Sequence, residues 1–152
     1  MRAKFHGVRG VVLFIFGVSL PVWTAPVTFN DSVLLNAVKT QWEAVTGSTL
    51  SDPPEDTELA DSRFTTLVAK ELGIMDLKGL ESCTSLTDLN LGMNHISDLT
   101  PLSGLTSLIN LDLGYGTTMF GGNIDFYDTE NNLITDISPL AGLVNLEFLS
   151  LM

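Results

Sequence analysis

Leu86 to Ser107 reads LTDLNLGMNHISDLTPLSGLTS, with apolar residues at Leu86, Leu89, Leu91, Ile96, Leu99, Leu102 and Leu105. Every one recurs at Leu108, Leu111, Leu113, Ile134, Ile137, Leu140 and Leu143, once a 16-residue insertion from Gly116 to Asn131 is set aside. Upstream, Phe64, Leu67, Ala69, Ile74, Leu77 and Leu80 hold a degenerate version of the unit, 22 residues earlier. A fourth unit opens at Leu146, 38 residues after Leu108, which is one period plus the insertion. A fixed period of this length marks a stacked repeat, so periodicity is weighed before any residue is read as catalytic.

Each unit begins with Leu-x-x-Leu-x-Leu, whose alternation fits a short strand with its leucines turned inward. The Asn that follows, Asn94 or Asn132, is suited to bonding the backbone of the next turn. In the first unit Leu72 stands at that place. The segments SDLTPLSGL (97–105) and TDISPLAGL (135–143) are expected to return along the outer face, where Pro101 and Pro139 suit an irregular or 3₁₀ course. A single unit buries too little apolar surface to offset the ordering of its backbone, so the units must stack and share their inner faces.

The pattern Leu-x-x-Leu-x-Leu-x-x-Asn-x-Ile-x-Asp-Leu-x-Pro-Leu resembles the 22-residue leucine-rich repeats of bacterial internalin-type surface proteins, and it covers about the last ninety residues. Intracellular phosphatase-regulating leucine-rich repeats share the unit length. Asp-Leu-Thr-Pro-Leu at 98–102, Asp-Ile-Ser-Pro-Leu at 136–140 and the amino-terminal segment favour the secreted bacterial type. The resemblance implies an α/β solenoid: parallel β-strands on one face, an irregular or 3₁₀ outer face and an N-terminal helical cap. It is specific for fold and weak for partner.

The chain divides accordingly into residues 1–25, 26–63 and 64–152, the last holding about 3.5 units. Arg2, Lys4 and Arg9 precede an apolar run from Val11 to Leu20 with no acidic residue, which reads as a secretory signal peptide. The run is half the length of a membrane-spanning helix, so no stable span is expected after signal removal. Cleavage after Ala25 or after Ser19 both fit, and no cysteine near the run offers a lipid attachment point.

Residues 27–60 resemble the helical cap that precedes such repeats. Asn30 or Asp31 is placed to cap a helix carrying Val33, Leu34, Ala37, Val38 and Trp42 on one face, which is expected to cover the first repeat. Asp52-Pro53-Pro54 breaks the chain, and Glu55 to Asp61 suits a second short helix with a solvated acidic surface.

Seven Lys and Arg against 18 Asp and Glu give a net charge of −11, which makes nucleic acid a poor partner. Without residues 1–25 the balance is four against 18, a net of −14, favouring cationic partners. One cysteine excludes a disulfide framework or a Cys-rich zinc module. Cys83 aligns with Leu105 and reads as a buried small hydrophobe. His6 lies in the signal and His95 in a repeat turn; no nucleophile–base pair, phosphate loop or metal-binding His pair is present, so no catalysis and no cofactor are expected.

The insertion GTTMFGGNIDFYDTEN is expected to leave the solenoid as a loop, either as a tolerated insertion or as a contact surface bearing Phe120, Asp125, Phe126, Tyr127, Asp128 and Glu130. Its Asn123, Asp125, Asp128 and Glu130 miss the EF-hand spacing, so calcium is not expected. Met152 closes the chain inside its fourth unit, which suggests a fragment or decayed gene product, with pairing through the open edge a lesser alternative.

What remains is the outward side of the strands. Thr66, Asp88, Asn110 and Phe148 form one column, and Val68, Asn90, Asp112 and Ser150 a second. Lys70, Gly92, Gly114 and Met152 form a third, beside Glu71, Met93 and Tyr115. The candidate partner-binding residues are Asp88, Asn90, Met93, Asn110, Asp112, Tyr115 and Phe148, with the two aromatics and Met93 as anchors and the aspartates as charges. An ordinary strand face with no partner is the competing reading. Two further functions are kept beside it: the accessory recognition domain of a larger secreted enzyme extending beyond Met152, and a structural remnant. The ligand expected of the first reading is a protein or a cell-surface molecule.

Overall fold

A computed structural model describes residues 10–15, 18–114 and 131–151. Near the amino terminus β1 (Gly10–Ile15) and β2 (Val18–Trp23) pair antiparallel. The signal peptide assigned to residues 1–25 lies partly outside the described residues.

The cap begins with α1 (Ser32–Thr46), whose N-cap is Asp31: its carboxylate accepts the amides of Val33 and Leu34 at 2.9 and 3.2 Å. Those two N–H groups have no partner inside the helix, which is why a short acidic side chain starts it well. Gly47, in a left-handed conformation, ends it. Leu34, Val38 and Trp42 recur every four residues and are buried, with Ala37 packed beside them. Val33 was expected on the same face but is 40% exposed, because one residue turns the helix by about 100° away from Leu34. The short helix α2 (Asp56–Leu59) follows, and its Leu59 is buried.

The repeats build a four-stranded parallel sheet in the order β3 (Thr66–Val68), β4 (Asp88–Asn90), β5 (Asn110–Asp112) and β6 (Phe148–Ser150). The register sets Leu67 beside Leu89, Leu111 and Leu149, so the sequence period is the strand-to-strand step. Three 3₁₀ turns return the chain on the opposite side, at Leu80–Ser82, Thr100–Leu102 and Ser138–Gly142, the last two with proline in their first positions. Parallel strands need such crossovers, and proline fits a first turn because its missing N–H would be unpaired there anyway.

The core is a stack of the repeating apolar residues. Phe64, Leu67, Ala69, Ile74, Leu86, Leu91, Ile96, Leu102, Leu105, Leu108 and Leu111 are wholly inaccessible to solvent. Cys83 sits among them, as its alignment with Leu105 predicts, and burial pushes its thiol up to about 12. Toward the last strand the burial fades: Ile137 is 50% exposed, against 1% for its counterpart Leu99, and Leu149 is 38% exposed. The counterparts in earlier units each have a following unit stacked on them, and this layering is what hides them.

Both ends of a buried ladder need satisfied polar groups. At the first edge the backbone N–H of Val68 on β3 donates to Gln41 Oε1 of α1 at 2.9 Å, so the cap closes that edge with a side chain. Inside, Asn94 is fully buried: its Oδ1 accepts Leu72 N and Ile74 N, and its Nδ2 donates to Ala69 O and Leu91 O. Asn132 repeats the arrangement one layer on, accepting Ile96 N and donating to Leu91 O and Leu113 O. Among the described residues no helix is long and apolar enough to cross a membrane.

Candidate functional site

The pleat that turns Leu67, Leu89 and Leu111 inward turns their neighbours outward. Thr66, Asp88, Asn110 and Phe148 are consecutive register partners, as are Val68, Asn90, Asp112 and Ser150. Of the seven candidate residues, Asp88, Asn90, Asn110, Asp112 and Phe148 therefore share one surface. Tyr115 lies outside the described residues, as do residues 116–130 of the insertion with Phe120, Asn123, Asp125, Phe126, Tyr127, Asp128 and Glu130. Met152 of the third column is also outside them.

The aspartates and asparagines alternate in a way that lets them pair. β4 reads Asp-Leu-Asn and β5 reads Asn-Leu-Asp, so in parallel register each carboxylate faces an amide across the strands. Asn110 Nδ2 donates to Asp88 Oδ1 at 2.6 Å, and Asn90 Nδ2 donates to Asp112 Oδ2 at 3.1 Å. Thr87 Oγ1 donates to the other oxygen of Asp88, and Gly114 N to the other oxygen of Asp112. The donors at Thr87 and Asn110 hold the Asp88 carboxyl below the usual carboxylate range, since each bond favours the ionised form. The aspartates are thus oriented parts of the face rather than free charges. A carboxylate has about four acceptor positions, and two on each remain for a partner.

A groove of about 220 Å³ lies on this surface. Thr66, Val68, Asp88, Asn90, Asn110, Asp112 and Phe148 line it around the strand centres Leu67 and Leu89. Phe148, on the last strand, is 54% exposed and forms the aromatic wall of the groove. Thr66 and Val68 were visible in the sequence columns but not counted as candidates. Their place beside Asp88 and Asn90 in the register was the available signal.

Met93 sits just beyond β4 and is half-buried, with φ of 55°. Glu71 holds the same position one unit earlier with φ of 59°, so the left-handed backbone repeats with the sequence. That turn swings the chain off the strand toward its buried asparagine. At Gly92, just before Met93, the next unit's backbone approaches closely: a side chain there would overlap the Gly114 carbonyl oxygen. Lys70 is occupied by Glu71 at 3.0 Å. Among the described residues no group of three or more His, Cys, Asp and Glu is arranged to hold a metal ion.

No protein-family model matches the chain. Among solved structures, an internalin (InlF) from Listeria monocytogenes superposes with a TM-score of 0.61 at 31% identity, covering 83% of this chain and 32% of the internalin. A second Listeria monocytogenes protein, internalin C2, is 28% identical with a TM-score of 0.45, covering 84% of this chain and 67% of its own. The chain spans about a third of the length of InlF. The 22-residue register, the asparagine ladder and the helical cap agree with the InlF superposition: the chain has a leucine-rich repeat fold similar to that of the internalins.

Proposed function

We propose that this protein is a secreted or cell-surface scaffold that binds a protein or other surface ligand through its strand face and carries no catalysis of its own. Residues 1–25 serve as its export signal, with three cations ahead of an apolar run. The observation that carries the reading is the contrast between the two sides of one sheet. The inner side of the first three strands is sealed by Leu67, Leu89 and Leu111, while the outer side presents a hydrogen-bonded Asp–Asn lattice and a half-exposed Phe148 around a groove. Rigid, patterned side chains with one large aromatic are what an interface centre requires.

Four strands spaced about 4.8 Å apart span only about 14 Å, which is small beside a standard interface of about 800 Å² per partner. The described face is therefore the central part of a contact, and Met93 extends it. The test is binding of the labelled chain to intact cells, with circular dichroism as the folding check. Asp112→Ala, Phe148→Ala and Tyr115→Ala are expected to weaken binding with the spectrum unchanged. Unaltered binding in all three would remove the strand face from the account.

A further inference from the structure

The groove has a size, a charge and an aromatic wall, and together they select a chemistry. Its volume of about 220 Å³ falls below the roughly 300–1,000 Å³ of small-molecule sites, so it suits one inserted side chain better than a whole ligand. Asp88 and Asp112 stand on adjacent strands in different columns, and both oxygens of each already take one donor from Thr87, Asn110, Asn90 or Gly114. The carboxylates are fixed in place with acceptor positions left over. No lysine or arginine lines the groove.

The imbalance extends well beyond the groove. Lys78 is the last lysine or arginine of the chain, and residues 79–152 hold nine carboxylates. Every repeat after the first therefore adds negative potential with no cation to offset it, and that field is strongest where the carboxylates are held together.

We propose that this groove receives an arginine side chain presented by a protein partner, its guanidinium lying against the Phe148 ring and its N–H fork on Asp112, with Asp88 as the second acceptor. The inference rests on the strand face being the binding surface and names what that surface recognises. Arginine is selected over lysine because a planar fork matches a fixed carboxylate with two donors and stacks on an aromatic face, whereas an ammonium is compact and more strongly hydrated.

The probe is fluorescently labelled hexa-arginine, titrated by anisotropy against the full chain at physiological salt, with hexa-lysine as the competitor chemistry. Hexa-arginine is expected to bind about tenfold more tightly than hexa-lysine. Asp112→Asn and Phe148→Ala are each expected to weaken it about fivefold or more, on the scale of one charge-assisted hydrogen bond or one ring contact. Asp98→Asn, which removes the same charge from the return side, is expected to leave affinity within about twofold. Equal loss in Asp98→Asn, equal affinity for hexa-lysine, or no binding by the unaltered chain would overturn the proposal. Loss in Phe148→Ala without loss in Asp112→Asn or Asp88→Asn would overturn the arginine assignment while leaving the face as a binding surface. Unchanged affinity in all face variants would count against both.

Discussion

The side-chain oxygen of Asn94 accepts the backbone N–H of Leu72 at 3.1 Å, exactly one repeat earlier in the chain. Leu72 itself occupies the ladder position of the first unit, and it is 43% exposed. Each ladder asparagine thus serves the turn of the unit before it, as Asn132 does for Ile96, and the first unit, with no earlier repeat to serve, carries leucine at that position.

Replacing Asn94 by leucine is expected to cost about 3 kcal/mol or more, since Ile74 N and Ala69 O would be left buried without partners at roughly 1–3 kcal/mol each. Asn94→Asp keeps the acceptor but sets a carboxylate against the Ala69, Leu91 and Gly92 carbonyls. It should be severely destabilised at neutral pH and partly recover in mild acid, where the protonated group regains a donor. Urea unfolding at both pH values measures this. An Asn94→Leu chain as stable as the parent would contradict the ladder.

The cap is held by Trp42, which is 4% exposed and donates its indole N–H to Glu58 O at 2.9 Å. Trp42→Ala should lower stability by about 3–5 kcal/mol. Trp42→Phe keeps most of the packing, and Glu58 O retains the amide of Asp61, so the lost bond should contribute only about 0.5–1.5 kcal/mol. Thermal unfolding distinguishes the two. Equal losses would mean that packing is not what seats α1.

Cys83 is sealed in the core, with its thiol pushed up to about 12 by burial first and by the charge of Glu81 second. A thiol reagent at mildly alkaline pH should leave it unmodified in the native chain and label it fully in urea. The linkage follows from the direction of the shift. Between the ordinary value of 9.0 and about 12 the unfolded thiol loses its proton and the folded one keeps it, so stability declines as pH rises through that window. Cys83→Ala should flatten this decline. Ready labelling under native conditions would refute the burial.

Asp61 and Arg63 close the end of the cap. Two side-chain bonds and one backbone bond from Arg63 bring the Asp61 carboxyl to about 2, and Arg63 Nη1 also reaches Thr46 O at 3.1 Å. Because the folded value lies below the ordinary 3.8, the contribution is present above that pH and is lost as the pH falls through about 2. Arg63 is exposed and solvent screens the pair, so its effect belongs to titration rather than to bulk stability. An NMR titration of Asp61 should show a midpoint near 2 that moves toward 3.8 in Arg63→Gln. A midpoint near 3.8 in the unaltered chain would contradict the pairing.

Much of the fold was legible because its determinants are periodic. Leu67, Leu89 and Leu111 recur at one spacing, so a single unit read correctly places the others, and the asparagine ladder and Cys83 follow by alignment. Burial that depends on what stacks above is not written in the unit. Ile137 carries the same pattern as Leu99 and is half exposed. Val33 was misplaced because a helical face is narrower than a list of apolar residues implies. The outward columns were legible from pleat alternation alone. The pairing within them was not, because the Asp-Leu-Asn and Asn-Leu-Asp exchange gains meaning only once parallel register sets amide against carboxylate. The left-handed turn at Met93 was hidden too, since nothing in a methionine announces a positive φ.

The central claim is that strands one repeat apart lie side by side in parallel register, and native-state hydrogen exchange read by NMR tests it most directly. The amides of Ala69, Leu91 and Leu113 donate to Asn90 O, Asp112 O and Ser150 O at 2.8, 2.7 and 2.9 Å. They should exchange slowly together, with Val68 N protected by Gln41 alongside them. Rapid exchange at Leu91, with Asn90 and Asp112 showing no mutual proximity, would contradict the stacked register and the strand face built on it.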